Sequence, residues 1–157
     1  MVRSVARVLL AGGLATVLIG VAGLFWLGRV SRHMTPVLSP PQGPLRAGDD
    51  RPNWVSTTAP SGDARHFFAP RPCAQNPIPF LAAELARQGY AIDKRTDRSL
   101  HATWTSPVFG FVDDVELLYD PAAGLLHARS ASRVGYSDLG VNRRRLEALF
   151  RALDRRD

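Results

Sequence analysis

The 157 residues hold 20 Lys and Arg against 14 Asp and Glu, and this length suits one small domain with one additional segment. Much of the net charge of +6 comes from Arg3, Arg7, Arg29 and Arg32, which flank one apolar stretch, so the remainder is nearly neutral. This distribution, without an aromatic-basic recognition motif, argues against nucleic acid as a partner. The single cysteine, Cys73, excludes an internal disulfide and a zinc cluster made of cysteines.

The apolar stretch runs from Val8 to Gly28 without a charged residue. About 20 apolar residues cross a bilayer as a helix, whereas the apolar core of a secretory signal peptide is about 7–15 residues long. We therefore predict that residues 1–34 form an uncleaved transmembrane signal anchor with basic flanks. Cleavage near the small residues Gly20 and Ala22 is the alternative.

The next segment, residues 35–52, is rich in proline and has little apolar periodicity. This composition predicts an extended linker between the anchor and a soluble domain at residues 53–157. Within that domain, residues 64–69 are predicted to form a short edge strand, because the prolines that follow prevent a longer one.

Two amphipathic helices are predicted in the soluble domain. The first begins at Asn76, an N-cap residue followed by Pro77, and ends before Gly89. The second follows Asp138, which is suited to cap its N-terminus. Apolar residues recur at helical spacing at Ile78, Leu81, Ala82 and Leu85, and again at Leu146, Leu149, Phe150 and Leu153.

Between the helices, alternating apolar and polar residues predict three antiparallel strands, at residues 100–105, 111–120 and 125–134. A short turn at Pro107-Val108 joins the first two and places Trp104 near Phe111 and His101 near Asp114. These elements predict an α+β fold in which a small antiparallel sheet of three to four strands carries two helices on one face, preceded by one transmembrane helix.

The last two strands form a hairpin whose loop pairs Asp120 with Leu125, so Glu116 lies opposite Arg129. One face of the sheet then collects charge. We call it the polar face; its predicted members are His101, Asp114, Glu116, His127, Arg129 and Arg133. The other face is apolar, apart from Asp113, and is predicted to form the core.

Three stretches of this chain resemble one known family: Ser-Arg-Val-Gly-Tyr-Ser-Asp-Leu-Gly-Val-Asn-Arg from residue 132, Phe-Val-Asp-Asp-Val-Glu-Leu from residue 111, and Pro-Asn-Trp-Val-Ser from residue 52. The chain resembles domain of unknown function 1499, found in bacteria and plastids, over roughly residues 52–153. The resemblance implies no agreed activity, but it implies an exported or membrane-anchored protein. We accordingly expect a single-pass protein of the bacterial inner membrane with its soluble domain on the periplasmic side.

The candidate ligand-binding residues are Arg129, Arg133, Tyr136, Asp138, Asn142, Arg145, Asp113, Asp114, Glu116 and His101. The guanidinium groups of the polar face suit carboxylate or phosphate ligands; the alternative is a solvated face with weak ion pairs. The glycine-containing turn at residues 133–140 has a helix N-terminus that attracts anions, but Asp138 competes for the same amides as a structural cap.

Two further hypotheses concern single groups. Asp113 is expected to be a structural lock, paired with an arginine from residues 143–145 or with loop amides; a general base with a raised pKa is the alternative. A metal site built from polar-face histidines and carboxylates is not expected, because the neighbouring arginines repel a cation. No cofactor is expected, and the motifs of hydrolases, dinucleotide enzymes and metalloproteases are missing from the sequence.

We therefore expect a non-catalytic, membrane-anchored envelope protein that binds a small anionic or amphipathic ligand, or a protein partner, through Arg129 and Arg133. Two alternatives remain open. One is a hydrolase or isomerase that uses Asp113 or Asp114 with His101, and the other is a purely structural envelope module. The sequence leaves the oligomeric state undefined.

Overall fold

The computed structural model describes residues 2–40 and 43–156. A long N-terminal helix precedes a domain of six strands and two helices. In chain order the elements are α1 (Val2–His33), β1 (Trp54–Ser56), β2 (Arg71–Pro72), α2 (Ile78–Arg87), β3 (Ala91–Arg95), β4 (Ser99–Thr105), β5 (Val112–Asp120), β6 (Leu125–Ser132) and α3 (Val141–Asp154).

The strands form one antiparallel sheet in the order β1-β6-β5-β4-β3, and β2 also pairs with β6. The α+β class is as predicted, but the sheet has six strands and the prediction of three to four is wrong. β1 and β2 have only three and two residues, too few to show an alternating pattern. β3 is an exposed edge strand in which Ile92 alone packs partly against the core, so its sequence lacks a strand signal.

The prediction of an edge strand at residues 64–69 is also wrong. In this region the structure has a single isolated parallel bridge between Ser56 and Phe67. The true short strand, β2, begins two residues later and pairs with Leu125 and Leu126 at the end of β6. Because Pro72 lacks an amide proton, this strand stays short and at the margin of the sheet.

The central hairpin has the predicted register. Asp120 pairs with Leu125 and Glu116 pairs with Arg129. The loop between them is closed by Gly124, whose φ of 62° lies in the left-handed region, and the Asp120 carboxylate accepts hydrogen bonds from the amides of Ala122 and Ala123.

The β4–β5 pairing differs from the prediction by two residues. Trp104 pairs with Asp113 rather than Phe111. His101 pairs with Glu116, although its side chain lies near Asp114 as predicted, at 2.8 Å. The cause is a longer turn, since the amide of Ser106 donates to the carbonyl of Phe111 across four intervening residues. A shift by two residues preserves the side-chain faces, so His101 still lies on the polar face.

α2 and α3 pack together on the opposite face of the sheet, as predicted. The side chain of Asn76 accepts a hydrogen bond from the amide of Ile78 at 3.0 Å. The N-cap position of α2 is Pro77, one residue later than the predicted N-cap Asn76. The core between helices and sheet is apolar; its largest fully buried side chains include Ile78, Leu81, Leu85, Leu117, Leu126, Leu146, Leu149 and Val115. Burial of these side chains supplies most of the driving force for folding.

One polar cluster interrupts this core, and it is centred on Arg145. The guanidinium donates to Asp113 at 2.7 Å, to Asn142 at 2.6 Å and to the hydroxyl of Tyr90 at 2.8 Å. Asn142 in turn donates to the carbonyl of Asn53 at 2.9 Å. The expectation that Asp113 points toward the helices and pairs with an arginine is confirmed, and the cluster ties α3 to three parts of the domain.

We expect Asp113→Asn to lower the free energy of unfolding by about 3–5 kcal/mol, because it leaves the buried Arg145 charge without a carboxylate. The matched control is Glu147→Gln, which removes an exposed pair with Arg151 on the same helix and should cost less than about 0.5 kcal/mol. Urea unfolding followed by circular dichroism measures both. Equal stabilities for the two variants would contradict the structural role of Asp113.

Candidate functional site

The polar face is built around two ion pairs, each formed between neighbouring strands or their ends. Glu116 on β5 and Arg129 on β6 lie opposite each other, and their charged groups are 2.6 Å apart. Asp114, two residues earlier on the same face, accepts two hydrogen bonds from Arg133 at 2.8 and 2.9 Å. Both pairs therefore follow from the strand register that the sequence predicts.

His101 on β4 extends the second pair. Its Nε2 lies 2.8 Å from an Asp114 oxygen, and its Nδ1 lies 3.6 Å from Asp93, beyond hydrogen-bond distance. Desolvation raises the pKa of Asp114, but hydrogen bonds from Arg133 and His101 outweigh this and hold the pKa below its usual range. Asp114 is therefore held in its ionised form.

The polar face is buried. The alternative interpretation, a solvated face with weak ion pairs, is therefore wrong. Asp114, Glu116 and Arg129 are each only 5–6% exposed. The cover is the proline-rich segment, whose described residues 34–40 and 43–51 contain no helix or strand. We call residues 34–40 and 43–51 the covering segment.

Hydrogen bonds along its length hold the covering segment on the domain. The amide of Ser39 donates to Glu116 at 2.6 Å, and Arg133 donates to the carbonyl of Met34 at 3.1 Å. Thr58 donates to the carbonyl of Leu45 at 2.8 Å, and the Leu45 side chain is buried. The ion pairs thus also supply attachment points for the cover.

Two cavities lie between the covering segment and the ion pairs of the polar face. The first, about 270 Å³, is lined by Asp114, Arg129, Arg133, Trp54 and residues 34–37 and 46–49, among others. The second, about 230 Å³, is lined by His101, Glu116, Lys94 and residues 38–40, among others. A larger cavity of about 570 Å³ near the β5–β6 loop touches none of the ten candidate residues.

Each of the two smaller cavities is lined by a residue with a buried polar atom that lacks a hydrogen-bond partner within the described residues. These atoms are Nε of Arg129 and Nδ1 of His101. An unsatisfied buried polar atom costs about 1–3 kcal/mol. The Nε of Arg129 is a donor and would be stabilised by an acceptor group of a ligand. The Nδ1 of His101 is an acceptor in a neutral ring whose Nε2 donates to Asp114, and it would be stabilised by a donor group.

The remaining candidate residues do not converge on this site. Asp113, Asn142 and Arg145 lie on the helix-facing side of the sheet, in the cluster described above. Tyr136 is 71% exposed in the loop before α3.

Asp138 acts as the structural cap of α3. Its carboxylate accepts hydrogen bonds from the amides of Gly140 and Asn142 at 2.9 and 2.7 Å. The Asp138 carboxylate therefore occupies two of the amides at the helix N-terminus that would attract an anion, and Arg133 faces Asp114 instead of the turn.

Sequence reasoning missed Trp54 and the contribution of the covering segment. The indole of Trp54 stacks on His66 with ring centroids 4.1 Å apart and donates to the carbonyl of Asp49 at 2.8 Å. The sequence feature that could have indicated a packed segment was the presence of apolar Val37, Leu38 and Leu45 among the prolines.

No group of three His, Cys, Asp or Glu side chains able to hold a metal ion occurs in the part of the chain that the structure describes.

The N-terminal helix is long and apolar enough to cross a membrane over Leu10–His33, with a mean hydropathy of 2.0. A membrane anchor and a signal sequence share this property. Its C-terminal end contacts the domain, since the hydroxyl of Ser31 accepts a hydrogen bond from the amide of Val112 at 2.9 Å. The molecule is therefore a small α+β domain joined to one apolar N-terminal helix.

The sequence profile of the family described as Protein of unknown function (DUF1499) matches residues 45–153, more than two thirds of the chain. The chain belongs to this family. No curated protein matches the chain. No solved structure matches it either.

The lowered pKa of Asp114 predicts a specific loss of stability in acid. Its contribution is present above the ordinary carboxyl pKa of about 3.9 and is lost as the pH falls through the lower folded-state value. Between about pH 5 and pH 2, Asp114→Asn should therefore lose less stability than the wild type. Asp50→Asn, in an exposed part of the covering segment, should keep the wild-type dependence. Urea titrations at each pH measure the free energy of unfolding. If it falls equally with pH in the wild type and in Asp114→Asn, the lowered pKa of Asp114 is contradicted.

Proposed function

We propose that this protein is a non-catalytic, membrane-anchored module of the cell envelope that binds a small amphipathic anion beneath the covering segment. Residues 1–34 anchor it in the bacterial inner membrane, with the domain on the periplasmic side. The observation that carries the proposal is Arg129, which is buried, borders a cavity and has an Nε without a hydrogen-bond partner in the described residues.

The lining of the 270 Å³ cavity combines positive charge with apolar surface. Four arginines border it, at positions 46, 51, 129 and 133. Arg51 is paired with Asp49, Arg129 with Glu116, and Arg133 with Asp114. Arg46 forms no ion pair within the described residues, so the positive excess resides there, and Arg129 adds an unused Nε donor.

Apolar contacts would come from Trp54, Pro36 and Val37, which also border the cavity. Its volume lies just below the usual range of about 300–1,000 Å³ for drug-sized ligands, so the ligand is small. A carboxylate or phosphate group suits a guanidinium geometrically. Because Glu116 already neutralises much of the Arg129 charge, we expect a dissociation constant on the order of millimolar.

An enzymatic role has weaker support. Asp113 and His101 lie on opposite faces of the sheet and cannot act together. Asp114 does contact His101, but it is also held by two hydrogen bonds from Arg133, which fix its charge. A purely structural envelope module is the outcome if no ligand binds.

The test uses the full chain in nanodiscs with butyrate or inorganic phosphate as the probe, against chloride at equal ionic strength. At about 20 mM probe and a dissociation constant of about 1 mM, mass action stabilises the domain by about 1.8 kcal/mol. Thermal unfolding followed by circular dichroism detects a stabilisation of this size. The proposal predicts stabilisation by butyrate or phosphate and none by chloride.

Arg129→Lys is the informative variant, because a lysine can keep the charge pair with Glu116 but lacks the Nε donor. It should fold and lose most of the probe response. Arg95→Ala, on the exposed edge strand β3, should respond as the wild type does. The binding proposal is abandoned if neither anion stabilises the wild type beyond chloride, or if Arg129→Lys keeps the full response.

A further inference from the structure

The turn between β4 and β5 lies against the C-terminal end of α1. The ring of Phe109 packs edge-to-face on Phe25, with centroids 5.2 Å apart. A Cβ added at Gly28 would overlap the carbonyl oxygen of Phe109, so helix and turn approach each other as closely as a glycine permits. Arg32 donates to the carbonyl of Gly110 at 3.3 Å.

Phe25 and Gly28 belong to the uncharged part of the helix rather than to its basic flank. The uncharged run from Val8 to Gly28 spans about 30 Å as a helix, which equals the thickness of the hydrocarbon core of a bilayer. If this run fills the core, Phe25 lies about 5 Å inside its boundary and Gly28 lies at the boundary. A turn packed on both residues therefore lies at the same depth.

The composition of the turn suits this depth. Residues 107–111 read Pro-Val-Phe-Gly-Phe, and the Val108 side chain is 64% exposed in the structure. On the adjacent helix surface Trp26 is also 64% exposed. Arg29, which starts the basic flank, is at the level where cationic side chains meet lipid headgroups.

We propose that the β4–β5 turn inserts Val108 and Phe109 into the interfacial layer of the membrane that α1 spans, so that the domain rests on the lipid surface. The inference relies on the anchor part of the proposed function. Its ligand is the lipid bilayer itself, contacted by apolar side chains at the depth where monotopic segments bury their apolar faces, about 5–10 Å.

This contact also sets the orientation of the domain. β5 leads from the turn to the β5–β6 loop and has nine residues, a length of roughly 27 Å between its ends. The β4–β5 end of the sheet then faces the membrane, and Ala123 in the opposite loop lies far from it. The covering segment starts at the membrane-proximal end of the domain.

The experiment attaches an environment-sensitive fluorophore to single cysteines of the full chain in phosphatidylcholine nanodiscs, with and without doxyl-labelled lipid. The three labelled variants are Val108→Cys, Ile19→Cys and Ala123→Cys, in a Cys73→Ala background with a native circular dichroism spectrum. Ile19 is near the middle of the span and reports on the anchor. Ala123 is exposed in the distal loop and serves as the aqueous control.

We expect quenching at Val108 to exceed that at Ala123 by about threefold or more, with shallow doxyl groups more effective than deep ones. Ile19 should be quenched most by the deep groups. If Ile19 is quenched and Val108 is not, the turn stays in water and this inference is wrong although the anchor stands. If neither is quenched, α1 does not span the bilayer and the anchor proposal fails with it.

Discussion

Burial of the Glu116–Arg129 pair is the constraint on which the rest of the polar face depends. The charged groups are 2.6 Å apart and both side chains are about 7% exposed. The covering segment shields the pair, and the Glu116 carboxylate holds the segment through the amide of Ser39. Pair and cover therefore stabilise each other, since removing one partner of a buried pair costs about 3–5 kcal/mol.

The same arrangement brings the N-terminal helix close to the candidate site. α1 ends at His33, and the carbonyl of the next residue, Met34, already accepts a hydrogen bond from Arg133. Ser31 and Val112 connect helix and sheet directly. The domain thus has an apolar core between the sheet and two helices, and on the other face an irregular layer that connects α1 to the charged residues.

The elements with local periodicity could be predicted from the sequence. The hairpin register, the polar face and the pairing of Asp113 follow from alternation along β5 and β6, and both helices follow from apolar residues at helical spacing. The covering segment could not be predicted, because proline-rich chain has no periodicity and its position depends on contacts with Glu116 and Thr58, far away in the sequence. The short strands β1 and β2 were missed because three and two residues are too few to show an alternating pattern.

The most direct test of this account is amide hydrogen exchange of the covering segment in the full chain. The amides of Ser39 and Arg46 both donate hydrogen bonds, to Glu116 and to the Ser39 hydroxyl. The account predicts that Ser39 exchanges at least tenfold more slowly than an unstructured peptide of the same sequence, because exchange requires the segment to detach. It further predicts that Glu116→Gln removes much of this protection. Exchange of Ser39 at the unstructured rate in the wild type would show that the covering segment is a free tether and would contradict the buried polar face.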